Sequence, residues 1–286
     1  MAQHFVQPPR WEWYIVSYFF LAGLAGGSYA LGTMLRLWGS RRDEGTARIA
    51  FLVAFPLVVV CAILLTIDLG QPLRFWHMLI NTTPGTGGLN FKYWSPISIG
   101  SWALSIFGLF TFVSFLEALG YVRPLGRIFE IIGSILALFI ASYTGVLLSV
   151  SNQPVWSDSY AIGGLFVASA LSASAALLSW LTRYRSDAAW AEPTEQRLAT
   201  ADGYFVVLEL LMIAAFFTTL SIAGTAGRML SGTWLILWIL VVLSLIPSLL
   251  SLAGRRTAPI SGMTSAIVVI VGVFLLRFVI IFGAQF

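Results

Sequence analysis

Three side chains that can hold or exchange protons lie close together near the end of the second long apolar run. Asp68 ends that run, and Arg74 and His77 follow within the next nine residues. Arg74 and His77 are three apart, so a short helical turn places both on one face. Asp68 could exchange a proton while Arg74 holds it in place. A structural Asp68–Arg74 pair that pins the loop, with His77 as an interfacial residue, is the alternative.

Tyrosines add phenol groups on the same side of the predicted helices. Tyr14 and Tyr18 are four residues apart near the start of the first apolar run, and so share a helix face. Tyr143 lies about eight residues before the end of the fourth run, about 12 Å deep at 1.5 Å per residue. Tyr143 could bond a buried carbonyl, whereas Tyr14 and Tyr18 could equally be interfacial anchors.

This set of groups suits quinone chemistry. Reduction of a quinone takes two electrons and two protons, and its carbonyl oxygens need hydrogen-bond donors. Tyr143 or His77 could supply a donor, and Asp68 could supply the proton exchange. The sequence therefore predicts a quinone site at the outer ends of the first four helices. Its candidate residues are Tyr143, Asp68, His77, Arg74, Tyr18 and Tyr14.

Three further acids, Glu209, Glu117 and Glu130, lie in a predicted helix or near the inner ends of others. They could form a proton route from the cytoplasm, or they could pair with loop arginines such as Arg123 and Arg127. Both hypotheses stay open at this stage.

Eight apolar runs are each long enough to form the roughly 20-residue helix that spans a bilayer. They cover residues 13–38, 47–69, 95–121, 127–151, 160–181, 203–226, 233–252 and 259–283. A polar connection over 183–202 separates the fifth run from the sixth. Gly23, Gly26 and Gly27 predict close packing of the first helix, and Arg277 in the last helix needs a partner or a water cavity. The prediction is an all-α integral membrane protein.

Basic residues indicate the orientation of these helices. Those on one side, after the odd-numbered runs, are Arg36, Arg41, Arg42, Arg48, Arg123, Arg127, Arg183, Arg185, Arg197, Arg255 and Arg256. Those on the other side are Arg10, Arg74, Lys92 and Arg228, and Arg277 lies within the eighth run. Because cytoplasmic loops are enriched in Arg and Lys, both termini are predicted to face the outer, periplasmic side.

Composition restricts the classes of protein and cofactor. Hydrophobic residues make up 58% of the 286 residues and charged ones 10%, against about 25% charged in soluble domains, which excludes a soluble enzyme. There are two His and one Cys, whereas an iron–sulfur cluster needs about four Cys ligands. Neither His lies in an apolar run, so we expect no haem or iron–sulfur cluster in this chain. Basic residues are scattered in short loops, so no nucleic-acid partner is expected.

Four stretches resemble the NrfD family of quinone-reactive membrane subunits, which includes the polysulfide reductase membrane anchor. They are YFFLAGLAGG at 18–27, the stretch from Asp68 to His77, Ser95-Pro96 with Gly100-Ser101-Trp102, and Ser142-Tyr143 with Asn152, Pro154 and Trp156. The resemblance covers the first four helices, while the last four match in number and spacing alone.

The resemblance implies a fold of two four-helix bundles, residues 1–152 and 153–286, with menaquinone or ubiquinone bound in the first bundle near the outer face. It implies that Tyr143 contacts the quinone and that Asp68 is the acid at the end of the second helix. Tyr18 stands where the polysulfide reductase anchor has a His, so the second hydrogen bond to the quinone is expected to differ.

The resemblance also implies partners. A ferredoxin-like iron–sulfur subunit would dock on the outer face and connect the site to a molybdenum-type catalytic subunit or to cytochromes. The leading hypothesis is a haem-free, quinone-reactive anchor of a respiratory oxidoreductase in a prokaryotic cytoplasmic membrane. The alternatives are a secondary transporter or ion-translocating subunit without a redox role, and a membrane scaffold.

Overall fold

A computed structural model describes residues 11–83, 87–185, 188–253 and 262–285. Arg10, Arg255, Arg256 and the side chain of Arg185, which the count of basic residues used, lie outside this description. So does residue 259, the predicted start of the eighth helix.

Within the described residues, eight helical spans are long and apolar enough to cross a membrane. The helices are α1 (Trp13–Trp38), α2 (Glu44–Asp68), α3 (Pro96–Leu119), α4 (Arg127–Ser149), α5 (Ala161–Arg185), α6 (Ala188–Ala223), the short α7 (Ala226–Met229), α8 (Gly232–Ser244), α9 (Ile246–Leu252) and α10 (Gly262–Gly283). α8 and α9 together form the seventh span. The prediction of an all-α membrane protein with eight spans is confirmed.

The longest connection joins α2 to α3. It contains a 3-10 helix (Pro72–Met78) and an antiparallel pair of two-residue strands, β1 (Ile80–Asn81) and β2 (Gly88–Leu89). The predicted start of α3 is confirmed, because Ser95 caps the helix by accepting a hydrogen bond from the Ser98 amide, and Pro96 is its first residue.

The predicted start of the sixth helix is wrong. α6 begins at Ala188, not at 203, so most of the predicted polar connection over 183–202 is helical. Its 36 residues extend about 54 Å, whereas the hydrocarbon core is about 30 Å thick. The helix therefore continues beyond the membrane. The residues of this part are polar, so the apolar pattern used for the prediction does not extend to them.

We call α1–α4 the first group of helices and α5–α10 the second. α1 packs on α2, α4 and α5, and α3 packs on α2 and α4. α5 also packs on α4, α6 and α10, while α6 packs on α9 and α10 packs on α8. α1 and α5 are the most buried spans and pack on each other. A side chain at Gly26 would overlap the backbone of Ala137 in α4, and one at Gly27 would overlap Ser174 in α5. The predicted close packing of the first helix is thus confirmed.

The two described ends of the chain meet on one face, which we call the terminal face. The Trp11 amide donates to Gln285 Oε1 at 2.9 Å. The Trp11 ring packs on that of Trp156, with centroids 4.9 Å apart, and Trp156 Nε1 donates to the Ile280 carbonyl at 2.8 Å. The 69–95 connection lies on the same face, because an even number of spans separates it from both ends. The opposite face carries Arg36, Arg41, Arg42 and Arg197, and we call it the arginine-rich face.

Candidate functional site

Tyr143 is held in a buried position between α4 and α3. Its hydroxyl donates to the carbonyl oxygen of Pro96, and its ring packs on Phe139 with centroids 5.8 Å apart. A Cβ at Gly100 would overlap the phenol, so glycine is needed there for the ring to fit. Two sequence motifs that are more than forty residues apart therefore meet at this tyrosine.

Tyr18 brings a second buried phenol toward the same region from α1. It is 4% exposed and lies within electrostatic range of the Cys61 thiol in α2 and the Tyr143 phenol in α4. The Cys61 thiol donates a weak hydrogen bond to the Tyr18 carbonyl, with sulfur and oxygen 3.8 Å apart. The Tyr18 hydroxyl itself forms no hydrogen bond to any described residue. It is thus a donor on a largely buried side chain, and no described residue uses it.

Tyr14 occupies a different environment from Tyr18. It is half-buried, and its ring packs on Trp13 with centroids 4.3 Å apart. This position at the end of α1 is typical of an interfacial aromatic residue.

The acid and bases of the 68–77 stretch are only partly brought together. Arg74 and His77 lie on one 3-10 helix, as predicted, and three residues make one turn of such a helix. The proposed Asp68–Arg74 pair is wrong, because the two side chains form no ion pair. Gly70, with φ of +67°, turns the chain between them. Asp68 is exposed at the end of α2 and is electrostatically close to Glu12.

Asn90 fixes the same connection onto α3. Its side-chain amide donates to the His77 backbone carbonyl at 3.0 Å, and its backbone N–H donates to the Leu79 carbonyl at 2.8 Å. Its own carbonyl accepts from Trp102 Nε1 at 3.1 Å. The position of His77 on the terminal face is therefore set by hydrogen bonds from a residue that the sequence did not single out.

Glu117 and Glu130 meet on the arginine-rich face, but not with the predicted loop arginines. Arg36 Nη1 lies 2.8 Å from Glu117 Oε1 and 2.6 Å from Glu130 Oε1, and Arg36 Nη2 lies 2.9 Å from Glu44 Oε1. Pairing with Arg123 or Arg127 is thus wrong. Arg36 lies in the last turn of α1, so the first helix itself supplies the cation for these carboxylates.

Asp43 joins the α1–α2 loop to α6 on the same face. It is buried and accepts hydrogen bonds from Thr194 Oγ1 at 2.6 Å, Arg197 Nη1 at 2.8 Å and the Ser40 amide at 2.6 Å. Burial alone would raise the pKa of Asp43. The bonds from Thr194 and Ser40 and the charge of Arg197 outweigh it and hold the pKa below its ordinary value.

Glu209 lies apart from Glu117 and Glu130, in the second group of helices. It is fully buried in α6, and its electrostatic neighbours are Arg277 of α10 and Asp202 of α6. The three acids therefore do not form one continuous cluster. The sequence missed Asp202 because the predicted helix began one residue after it. The spacing of seven residues between Asp202 and Glu209 would have placed both on one face.

Among the described residues, no group of three His, Cys, Asp or Glu side chains could hold a metal ion.

Comparison with known proteins identifies the family. The family described as "Polysulphide reductase, NrfD" matches residues 3–286. The chain belongs to the NrfD family. It is 26% identical to protein NrfD of Escherichia coli over 96% of this chain and 95% of that protein. It is 27% identical to one of the chains of the polysulfide reductase of Wolinella succinogenes, over 96% of this protein and 94% of that one.

A shorter match supports the same assignment. The chain is 32% identical to one of the subunits of the selenate reductase of Mesobacillus selenatarsenatis, over 34% of this chain and 20% of that protein. As a member of the NrfD family, the chain is a multi-pass protein of the prokaryotic inner membrane and a membrane anchor subunit of a respiratory oxidoreductase complex. The transporter and scaffold hypotheses are therefore dropped.

Proposed function

We propose that this subunit exchanges electrons between the membrane quinone pool and an iron–sulfur partner, with menaquinone or ubiquinone bound between Tyr18 and Tyr143 in the bundle of residues 1–152. The observation that carries the proposal is the hydroxyl of the buried Tyr18 side chain, which has no hydrogen-bond partner among the described residues and lies in electrostatic range of Tyr143. Small-molecule sites are mostly apolar with a few polar groups, and Tyr18 lies among apolar residues of the core. Residues 153–286 form the second bundle.

The phenols would bind and orient the quinone headgroup. Tyr18 donates to one carbonyl oxygen without giving up any existing hydrogen bond. Tyr143 donates to the other after its hydroxyl releases the Pro96 carbonyl. The quinone supplies the two-electron chemistry, and this protein supplies donors, exclusion of water and proton exchange.

Asp68 and the 3-10 helix lie at the protein surface, where their side chains can exchange protons with water. Asp68 and Arg74 are exposed, and His77 is partly exposed. In this proposal Asp68 passes protons between solvent and the site, and Arg74 and His77 line the approach from the terminal face, which faces the periplasm. Tyr14 anchors α1 at the interface beside it.

The same connection would bind the electron-transfer partner. Its Leu73, Leu89, Tyr93 and Trp94 are 68–89% exposed, and exposed apolar groups of this kind mark interaction surfaces. We propose that a ferredoxin-like iron–sulfur subunit binds over them and leads to a molybdenum-type catalytic subunit or to cytochromes. The anchor would itself carry neither haem nor an iron–sulfur cluster.

The test is quinol-linked electron transfer in the purified complex with Tyr18→Phe, Tyr143→Phe and a matched control, Tyr29→Phe. Tyr29 is also buried in α1, but it bonds Ser114 at 2.9 Å and lies eleven residues, about 16 Å, further from the terminal face than Tyr18. Loss of one hydrogen bond to the quinone raises KM about two- to tenfold. Loss of a positioned proton donor would lower kcat by about 100-fold or more.

Turnover by Tyr18→Phe and Tyr143→Phe that equals turnover by Tyr29→Phe would contradict the proposed site. Purification of the protein without iron–sulfur partners would contradict the proposed partner.

A further inference from the structure

The second group of helices contains an acid and a base that the quinone site does not use. Glu209 of α6 and Arg277 of α10 are both fully buried. Arg277 Nη1 donates to Ser169 Oγ at 2.6 Å and Nη2 donates to the Phe166 carbonyl at 2.9 Å. Its guanidinium also lies over the Phe166 ring, 4.7 Å from the centroid.

Several polar atoms of these two residues have no partner among the described residues. Both carboxyl oxygens of Glu209 and Nε of Arg277 are buried without a hydrogen bond. The two side chains interact electrostatically but form no direct ion pair. Nearly all buried polar groups are satisfied by protein or by ordered water, and a buried water bonds two to four such groups. One donor and two acceptors without partners therefore indicate water between the two residues.

Arg277 also lies against the quinone-binding bundle. A Cβ at Gly23 of α1 would lie 3.3 Å from Arg277 Nη2, so this glycine leaves room for the guanidinium. Phe166, which Arg277 covers, packs on Phe19 with centroids 6.2 Å apart. Phe19 is the neighbour of Tyr18. Two aromatic rings, those of Phe166 and Phe19, thus lie between Arg277 and the phenol assigned to the quinone.

We propose that Glu209 exchanges a proton in a buried, water-containing site shared with Arg277, and that this exchange follows the redox state of the quinone beside Tyr18. The second part rests on the proposed function. The quinone gains two electrons from the iron–sulfur partner and two protons from the terminal face. Separately, while the electrons are on the quinone ahead of its own protons, the Glu209 carboxylate binds one proton to become a carboxyl group, and it releases that proton as the neutral quinol forms.

The charges around Glu209 explain this coupling. Among described residues, the charged groups near it are Arg277 and Asp202. Negative charge arriving beside Tyr18 attracts the Arg277 guanidinium and leaves a Glu209 carboxylate with less compensation, so a proton is taken up. The fixed positive charge of Arg277 also opposes passage of a proton straight to the quinone.

Asp202 would connect Glu209 to the arginine-rich face. It lies seven residues, about 10 Å, closer to that face along α6. Its carboxylate accepts from Ser172 Oγ and Ser248 Oγ, each at 2.6 Å. Ser248 is within reach because the seventh span breaks after Ser244, just before Pro247.

The test uses Glu209→Gln, Glu209→Asp and the control Glu117→Gln in the purified complex. Glu209→Gln keeps the shape and removes no hydrogen bond to a described residue, whereas Glu117 is a buried acid bonded to Arg36 in the other bundle. Infrared difference spectra are recorded after a pH step. We expect a carboxyl C=O band, shifted in D2O, that is lost in Glu209→Gln, present in Glu117→Gln and restored at a shifted frequency in Glu209→Asp. A band unchanged in Glu209→Gln overturns proton exchange at this residue.

A second spectrum after a potential step, with a menaquinone analogue bound, tests the coupling. We expect the Glu209 band, recorded with time resolution, to grow as electrons reach the quinone and to decay as the quinol is protonated. Normal quinone turnover with no change in that band overturns the coupling. Absence of quinone turnover in the wild-type complex contradicts the proposed function instead, and the pH-step spectrum still decides proton exchange by Glu209.

Discussion

Replacement of Gly100 by alanine should displace Tyr143 and weaken quinol binding without replacing any of the proposed donors. A Cβ at residue 100 would overlap the Tyr143 phenol, and the neighbouring backbone of α3 cannot easily move. The ring must therefore rotate away from the Pro96 carbonyl. Overpacking of this kind costs about 1–3 kcal/mol, and the lost hydrogen bond adds about 1 kcal/mol.

A matched glycine in the same helix separates this effect from helix propensity. A Cβ at Gly108 would meet Val58 Cγ1 at 3.6 Å, an ordinary contact. Alanine in place of a helical glycine stabilises by up to about 1 kcal/mol, so Gly108→Ala should be neutral or stabilising. Gly100→Ala should be less stable than Gly108→Ala by about 2–4 kcal/mol, the sum of these effects.

The assay compares quinol-linked turnover and thermal unfolding of the two variants in the intact complex. We expect KM for quinol to rise about two- to tenfold in Gly100→Ala, as for a lost hydrogen bond, with no change in Gly108→Ala. Equal turnover of both variants would refute the argument that the position of Tyr143 matters to the quinone.

Three further predictions concern the arginine-rich and terminal faces. Asp43→Asn should lower the Tm by roughly 4–8 °C at neutral pH, which corresponds to about 2 kcal/mol for a charged hydrogen bond. Because the pKa of Asp43 is lowered in the folded protein, the difference in Tm from wild type should persist above pH about 4 and vanish as the pH falls through the folded pKa. A Tm difference that does not depend on pH would contradict this. Arg36→Gln leaves Glu117 and Glu130 buried without their cation, which costs about 3–5 kcal/mol of stability, so less of the protein should accumulate in the membrane. A second substitution, Glu130→Gln, should restore part of that amount, and no rescue would count against the ion cluster. Trp156→Phe removes the indole bond to Ile280, so amide exchange should quicken at the end of α10, whereas unchanged exchange would mean that this bond does not hold the chain ends.

The apolar pattern predicted the membrane spans well because hydrophobic length is set by the bilayer. The same reasoning failed for the first part of α6, where the helix leaves the membrane and its residues, such as Thr194 and Arg197, are held by Asp43. A polar contact between residues 151 positions apart leaves no mark in a local pattern.

Side-chain partners were less predictable than helices. Proximity in sequence favoured Arg74 for Asp68 and Arg123 or Arg127 for the inner acids. The structure instead pairs the inner acids with Arg36, because the α1 terminus lies between α2, α3 and α4. Tyr143 was predicted from its depth in the fourth run and from the family resemblance, but its dependence on Gly100 follows from helix packing that spacing does not reveal.

The contact between α1 and α10 has a consequence for biogenesis. Gly23 of the first span faces Arg277 of the eighth, and Trp11 bonds Gln285. During synthesis the face of α1 around Gly23 therefore lacks its last partner until the eighth span has been inserted, whereas Gly26 and Gly27 already pack on α4 and α5. Nascent chains that stall before α10 should then expose that face to quality-control proteases, so that only subunits with all spans in place survive to meet their redox partners.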